Sequence, residues 1–237
     1  MSLPKLDAPL YGIKVPSTSQ KINIRPLTVK EEKILLLAQQ ADSTKQTLLA
    51  IKQITNNCIQ LPAGTDFNIN SLTIFDIEYI FLQLRAKSIN NIVTVSYKDN
   101  DDQKIYPFEI DLEKITVTVP KKPNLKLKLN DQKTLLLKYP TLDIFDAMSD
   151  SSDEEEQLES IAIAVLDKLY DGDEVYEFSQ YSKEEVSEFI DSFDIGTFDK
   201  IKAFIDGIPS VTHTLSYTNS SGVVKEIVLK GIDDFFI

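Results

Sequence analysis

The sequence predicts an α+β fold in which antiparallel hairpins alternate with helices and a C-terminal β-hairpin closes an acidic, helical second half. Three observations predict this class. Short runs of alternating apolar and polar residues occur in pairs around polar turns, which is typical of hairpins. Other runs carry apolar residues at helical spacing, some of them after a capping box. Hairpins imply antiparallel pairing, which disfavours a parallel sheet.

The first half opens with a hairpin and three helices. The runs YGIKVP and KINIRPL flank the polar loop STSQ. Thr28 and Glu31 form a capping box for the first helix. A second helix covers about residues 43–58, and a third begins near Ser71 or Thr73, with Asp76 in its first turn. The apolar face of the first helix is predicted to contain Ile34, Leu35, Leu37, Ala38 and Ala41.

Extended structure is predicted from residue 91. The runs IVTVSY and KIYPFEI form a hairpin across DNDDQ, and KITVTVP continues the alternating pattern. In NLKLKLN, leucines alternate with lysines, which is typical of a half-buried strand with a charged outer face. TLLLKY, after a short turn, is predicted to pair with it. A lysine face of this kind protects the edge of a sheet.

The second half is predicted to be mostly helical. A short helix runs from Thr141 through Asp146, and LESIAIAVLDKLY forms one longer helix. Ser182 and Glu185 give another capping box, and Thr197 starts a further helix. VTHTLSY and VVKEIVL form the closing hairpin around TNSSG. We therefore expect a mixed region over 1–138 and an acidic helical region with the hairpin over 139–237, or one continuous domain.

The net charge of −12 is unevenly distributed. Residues 1–138 hold 19 Lys and Arg against 14 Asp and Glu, whereas residues 139–207 hold 4 against 20. This acidity disfavours nucleic-acid binding and favours partners with basic patches, or neutralisation between the two halves. No apolar stretch is long enough for a membrane span, and the start lacks signal-peptide features. A cytoplasmic setting is expected.

No catalytic, cofactor-binding or metal-binding residue is predicted. Cys58 and His213 are the only cysteine and histidine, and each is interpreted as a packed residue. The acidic run from Asp150 to Glu156 is read as a solvated loop and helix start, with a docking surface or a metal site as alternatives. Residues 171–177 are read as a turn. An enzyme with an acidic, metal-dependent site remains the competing class.

Six lysines form a basic cluster along and beside the predicted lysine strand. No aromatic residues are interleaved with these lysines, so a surface for single-stranded nucleic acid is disfavoured. Either they form an ordinary charged edge or they contact an acidic partner. The cluster contains Lys121, Lys122, Lys126, Lys128, Lys133 and Lys138.

The third helix, TIFDIEYIFLQLRAKS (residues 73–88), is apolar on two sides. One arc holds Ile74, Ile77, Ile80, Phe81 and Leu84. Phe75, Tyr79, Leu82 and Ala86 form a second, smaller arc. A surface helix has one broad polar face, so either the chain covers both arcs or the smaller arc contacts a partner. Near the carboxyl end, Phe235 and Phe236 are also expected to dock, on the chain itself or on a partner. The predicted partner-binding residues are Phe75, Tyr79, Leu82, Phe235 and Phe236.

Four stretches stand out in chain order: IRPLTVKEEK, FDIEYIFLQLRAKS, the KYPTLDIF stretch and a closing GIDDFF. Together they resemble the baseplate hub proteins of T4-like contractile-tailed bacteriophages. The resemblance covers nearly the whole chain. It implies a non-enzymatic structural or assembly protein that docks on other hub proteins and needs no cofactor. Self-association and a transient chaperone absent from the mature virion are alternatives within it. The implied locations are the host cytoplasm during assembly and the tail baseplate of the virion.

Overall fold

The computed structural model describes residues 7–40, 44–61, 64–121, 123–142, 144 and 154–235. These residues form six α-helices and twelve strands. The helices are α1 (Val29–Gln40), α2 (Thr44–Cys58), α3 (Ile74–Ser88), α4 (Glu154–Val165), α5 (Lys183–Asp191) and α6 (Ile195–Asp206). The strands are β1 (Tyr11–Lys14), β2 (Lys21–Ile24), β3 (Ile59–Gln60), β4 (Ile92–Lys98), β5 (Ile105–Asp111), β6 (Thr116–Val117), β7 (Lys126–Lys128), β8 (Lys133–Leu137), β9 (Leu166–Asp171), β10 (Glu174–Glu177), β11 (Val211–Thr218) and β12 (Val224–Lys230).

The strand pairings seen in the described residues are antiparallel. The strands form small sheets in the orders β1-β2-β3, β4-β5, β12-β11-β6 and β10-β9-β8-β7. Most of these pairs are sequence neighbours joined by short turns. The predicted α+β class with a C-terminal hairpin is thereby confirmed.

The chain divides into two compact units, and the first is discontinuous in sequence. It comprises Met1–Thr118 and Ser210–Ile237, whereas the second comprises Val119–Pro209. This division differs from the sequence-based boundary after residue 138. Strand β8 pairs with both β7 and β9, which draws residues 119–138 into the second unit. Likewise β11 pairs with β6, so the closing hairpin belongs with the amino-terminal region.

Helix α3 supplies much of the buried core of the first unit. It packs against α2, β6 and β11, and against the short 3-10 helix Leu112–Lys114. Ile77, Ile80 and Leu84 from its larger arc are at most 1% exposed. Ile22 and Ile24 from β2 and Ile54 from α2 are buried to the same extent. The helix is therefore central to its unit.

The second unit has its own core between its sheet and its helices. Leu135 and Leu137 from β8 and Leu166 from β9 face α4, α5 and α6 there. Val165 closes α4 inside this core, and Ile201 of α6 is fully buried. On the edge strand β7, Leu127 packs against the core while Lys126 and Lys128 are exposed. The half-buried strand with a lysine face has the predicted form.

Two predictions in the second half are wrong. Helix α4 ends at Val165, and the following residues of the predicted helix form β9 because they pair with both β8 and β10. Helix α6 begins at Ile195 rather than Thr197, because Asp194 caps it by accepting hydrogen bonds from the N–H and hydroxyl of Thr197. The predicted helix from Thr141 through Asp146 lies largely outside the described residues.

Candidate functional site

The amino end of α3 is fixed by one buried carboxylate. The helix begins where the sequence predicted, near Thr73, and Thr73 and Asp76 form a capping box that the sequence reasoning did not identify. Asp76 is 0% exposed and also accepts hydrogen bonds from the N–H and hydroxyl of Ser17, at 2.9 and 2.6 Å. Ser17 lies in the loop between β1 and β2, so this carboxylate ties the first hairpin to α3. A buried carboxylate with four donors satisfies its oxygens without water.

The smaller arc of α3 is largely covered by the chain itself. Phe75 is 1% exposed and Leu82 is 0% exposed, so neither side chain offers surface to a partner in this fold. Tyr79 is half-buried, and burial raises the pKa of its hydroxyl. Tyr79 therefore keeps accessible surface that Phe75 and Leu82 lack.

The carboxyl-terminal aromatics have separate positions. Phe235 ends the short 3-10 helix Asp233–Phe235 and is 2% exposed, so it docks on its own unit. Phe236 lies outside the described residues. Of the five predicted partner-binding residues, the structure thus places three in the core of the first unit, which supports the reading that the chain covers α3.

An exposed apolar surface occurs instead on α1. Val29, Leu36 and Leu37 are 66%, 51% and 67% exposed. Val29 and Leu36, seven residues apart, lie almost in line along the helix, and Leu37 lies one position further round. We call these three residues the α1 face. The prediction that Leu37 faces the core with Ala38 is wrong, because α1 buries the side that holds Ala38 and Glu31.

The start of α1 is anchored by Glu31, which is 1% exposed. Arg25 binds it at 3.0 Å, and Thr28 donates to it through its N–H and its hydroxyl. Burial alone would raise the pKa of Glu31, but the hydrogen bonds from Arg25 and Thr28 outweigh burial and lower it to about 2. Arg25 also donates to the carbonyl of Asn57 at the end of α2. The α1 face is thus presented by a fixed helix.

Two hairpin turns of the first unit are joined by a polar cluster that sequence reasoning missed. Asp99, in the turn between β4 and β5, accepts hydrogen bonds from Tyr217 at 2.8 Å and Lys225 at 2.7 Å. Asp102 in the same turn accepts from Tyr106 at 2.6 Å and from Ser220. We call these six residues the aspartate clasp. Tyr217, Ser220 and Lys225 lie more than 100 residues from their aspartate partners in sequence, so no local pattern reveals these contacts.

Hydrogen bonds and burial within the aspartate clasp shift the pKa values of its members. The hydrogen bond from Lys225 lowers the pKa of Asp99, and the hydrogen bond from Tyr106 lowers the pKa of Asp102 well below its usual range. Burial, together with the hydrogen bond to Asp99, raises the pKa of Tyr217 to about 12. The ring of Tyr217 also lies 4.6 Å from that of Tyr106. These groups are held in the charge states that they have at neutral pH.

Cys58 and His213, the cysteine and histidine considered in the sequence analysis, are both at least half-buried. Cys58 is fully buried, and burial raises the pKa of its thiol to about 11, which opposes a nucleophilic role. His213 is half-buried on β11, on the same strand face as Val211, Leu215 and Tyr217. Within the described ranges, no three His, Cys, Asp or Glu side chains come together as a metal site. None of the helices described has both the length and the apolar character to cross a membrane.

The structure describes only part of the acidic and basic segments singled out in the sequence. Most of the acidic run 150–156 lies outside the described residues, whereas 171–177 forms the predicted turn and the strand β10. In the lysine cluster, Lys133 pairs with Asp171 at 3.1 Å. One lysine of the predicted basic half thus neutralises a carboxylate of the acidic half within the second unit.

A cleft of about 350 Å³ opens on the second unit. Strands β8, β9 and β10 and helix α5 contribute to it. Its apolar lining consists of Leu169, Tyr176, Phe178, Tyr181, Val186 and Phe189. Lys133, Asp171 and Glu185 supply its charged groups. We call it the second-unit cleft; no sequence pattern predicted it, because its walls come from four elements.

The comparison with protein families gives one long match. The sequence profile described as T4 bacteriophage base plate protein matches residues 8–237, which includes nearly all of both units. No curated protein matches the chain, and no solved structure matches it.

Proposed function

The chain belongs to the T4 bacteriophage base plate protein family, and from this membership we propose that it is a non-enzymatic structural or assembly protein of the baseplate hub. The family is one of phage baseplate proteins with a structural role, and such a family is typically non-enzymatic. Other baseplate proteins are the partners that the family implies, and the tail baseplate is the location. Beyond family membership, we propose that the chain acts in the hub and that it acts by docking on other hub proteins.

The α1 face is the observation that carries the docking proposal. Three large apolar side chains at 51–67% exposure lie on one fixed helix. Single exposed apolar residues are common, but a group on one rigid element is typical of a protein interface. Each such side chain contributes about 1.5–3 kcal/mol when it is fully buried. The α1 face is therefore the proposed contact for another hub protein.

Tyr79 is a second proposed contact, carried over from the smaller arc of α3. Tyr79→Asp distinguishes support of the core from contact with a partner. Global unfolding of the variant would assign Tyr79 to the core. A folded variant that no longer associates with hub proteins would assign it to the interface.

Co-purification of the tagged chain from infected cells tests the docking proposal. We expect the wild-type chain to retain other baseplate proteins and Leu36→Gln/Leu37→Gln to lose them, with unchanged circular dichroism. Ile195→Gln is the matched control, since Ile195 is an apolar helix residue 82% exposed on the second unit. Equal recovery of partners by all three proteins would contradict docking through the α1 face.

A permanent subunit and a transient chaperone make different predictions for purified particles. We expect mass spectrometry to detect the chain in purified virions as well as in infected-cell lysate. Detection in lysate alone would assign it to assembly and not to the finished hub.

A further inference from the structure

We propose that the second-unit cleft binds a basic segment of another protein, with one large apolar or aromatic side chain inserted between flanking lysines or arginines. The inference rests on the proposed function only for the source of the segment, a second baseplate protein. The cleft itself is argued from its size, its lining and its charge.

The size of the cleft suits an inserted side chain. About 350 Å³ lies at the small end of the usual range for ligand pockets, roughly 300–1,000 Å³, and accommodates one or two large side chains. It is too small for a folded element such as a helix.

The lining is aromatic and already ordered. Phe178 and Phe189 contact each other at 5.6 Å between ring centroids, and Phe189 meets Phe193 edge to face at 4.9 Å. Tyr181 also lines the cleft and is 42% exposed, so one ring remains available to stack on an incoming group. Aromatic rings in a pocket are the usual anchors of protein interfaces and also attract cations.

The charge around the cleft is negative. Lys133 is paired with Asp171, and among the described residues Glu185 is the charged lining residue outside any ion pair. Further exposed carboxylates flank the cleft in sequence, at Asp173 and Glu174 in the β9–β10 hairpin and at Glu184 and Glu188 on α5. The second unit as a whole holds 21 acidic against 10 basic residues. A lysine- or arginine-containing segment is complementary to this surface, whereas nucleic acid is repelled.

Binding of short peptides to the purified full chain tests this inference. The probe is an end-blocked Gly-Lys-Lys-Phe-Lys-Lys-Gly. One control replaces its phenylalanine by alanine, and the other replaces its lysines by glutamates. NMR titration should shift amide signals of β10 and α5 with the probe and with neither control. Tyr181→Ala is expected to weaken binding of the probe about tenfold.

Two further variants separate local binding from damage to the fold. Glu185→Gln retains the capping box, because glutamine also caps, and removes the charge; it should weaken binding and reduce its dependence on salt. Ile195→Ala, on exposed surface outside the lining of the cleft, should bind as wild type. Equal binding of the lysine and glutamate peptides, or no binding of the probe, would overturn the inference. Self-association of the chain abolished by Tyr181→Ala would also overturn it, since the occupant would be a second copy.

The peptide-binding experiment and the co-purification experiment test the two proposals separately. Failure of peptide binding with retained co-purification of hub proteins rejects the cleft as a docking site and leaves the hub role intact. Peptide binding without co-purification of baseplate proteins rejects the hub role and retains the cleft.

Discussion

The two units differ in how they use charge. The first holds 15 basic and 16 acidic residues, and key carboxylates among them, Asp76, Asp99 and Glu31, are buried and hydrogen-bonded. The second holds 10 basic and 21 acidic residues, and many of its carboxylates are exposed. Charge in the first unit holds distant segments together. In the second unit, charge is available at the surface for a partner.

The two units also differ in the apolar side chains that they present at the surface. The first unit exposes aliphatic residues on α1, whereas the second presents half-buried aromatic rings inside a cleft. A flat aliphatic face suits a broad contact, and a cleft suits an inserted side chain. The two proposed docking sites therefore differ in their chemistry.

Truncation of a core side chain in each unit is expected to have the largest effect. Leu82 and Leu135 are both 0% exposed, so Leu82→Ala and Leu135→Ala should each lower the free energy of unfolding by about 2–5 kcal/mol. Hydrogen exchange during chemical denaturation should locate each loss in its own unit. Leu36→Ala, at an exposed position, is the control and should stay within about 0.5 kcal/mol. Equal loss of protection in both units from either variant would contradict separate cores.

Acid is expected to destabilise the first unit through three of its hydrogen-bonded carboxylates. Hydrogen bonds hold the pKa values of Glu31, Asp99 and Asp102 below those of the unfolded chain, where carboxyl groups titrate at about 4. Their contribution to stability is thus present above that pH and is lost as pH falls toward the folded values, about 2 for Glu31. Denaturant titrations at successive pH values should show this loss. Glu31→Gln should flatten the acid dependence, and an unchanged slope would contradict the assignment.

Turn glycines should give a smaller and comparable effect in both units. Gly172 and Gly222 adopt φ of +59° and +80° in the β9–β10 and β11–β12 turns. A Cβ meets no atom within 4 Å at either position, so an alanine is penalised by backbone strain alone. Each Gly→Ala change should cost about 1 kcal/mol in thermal unfolding. Gly12→Ala, without a positive φ, should cost less; a larger loss there would contradict strain as the cause.

The smallest expected change in stability is at the α1 face. Leu37→Gln should leave the free energy of unfolding within about 0.5 kcal/mol of wild type, because Leu37 is 67% exposed. Thermal denaturation measures this directly. A loss of several kcal/mol would show that Leu37 supports the core and is not free to contact a partner.

Much of the secondary structure was predictable because it is set by nearby residues. The capping box at Ser182–Glu185 formed as predicted, and so did the hairpins around 15–20, 99–104 and 219–223. Apolar periodicity extended the α4 prediction too far, because Leu166 and Leu169 fit a helical stripe as well as the inner face of β9. Pairing with β8 and β10 decided between the two.

The sequence alone indicated the hairpins and most of the helices, the distribution of charge and the likeness to a baseplate family, since each depends on residue types in a fixed order. Only the tertiary structure decided which surfaces are covered. It buried Phe75, Leu82 and Phe235, exposed Leu37, and joined Asp99 to Lys225. A periodic pattern shows which side chains share a face, but burial of that face depends on segments that can lie a hundred residues away.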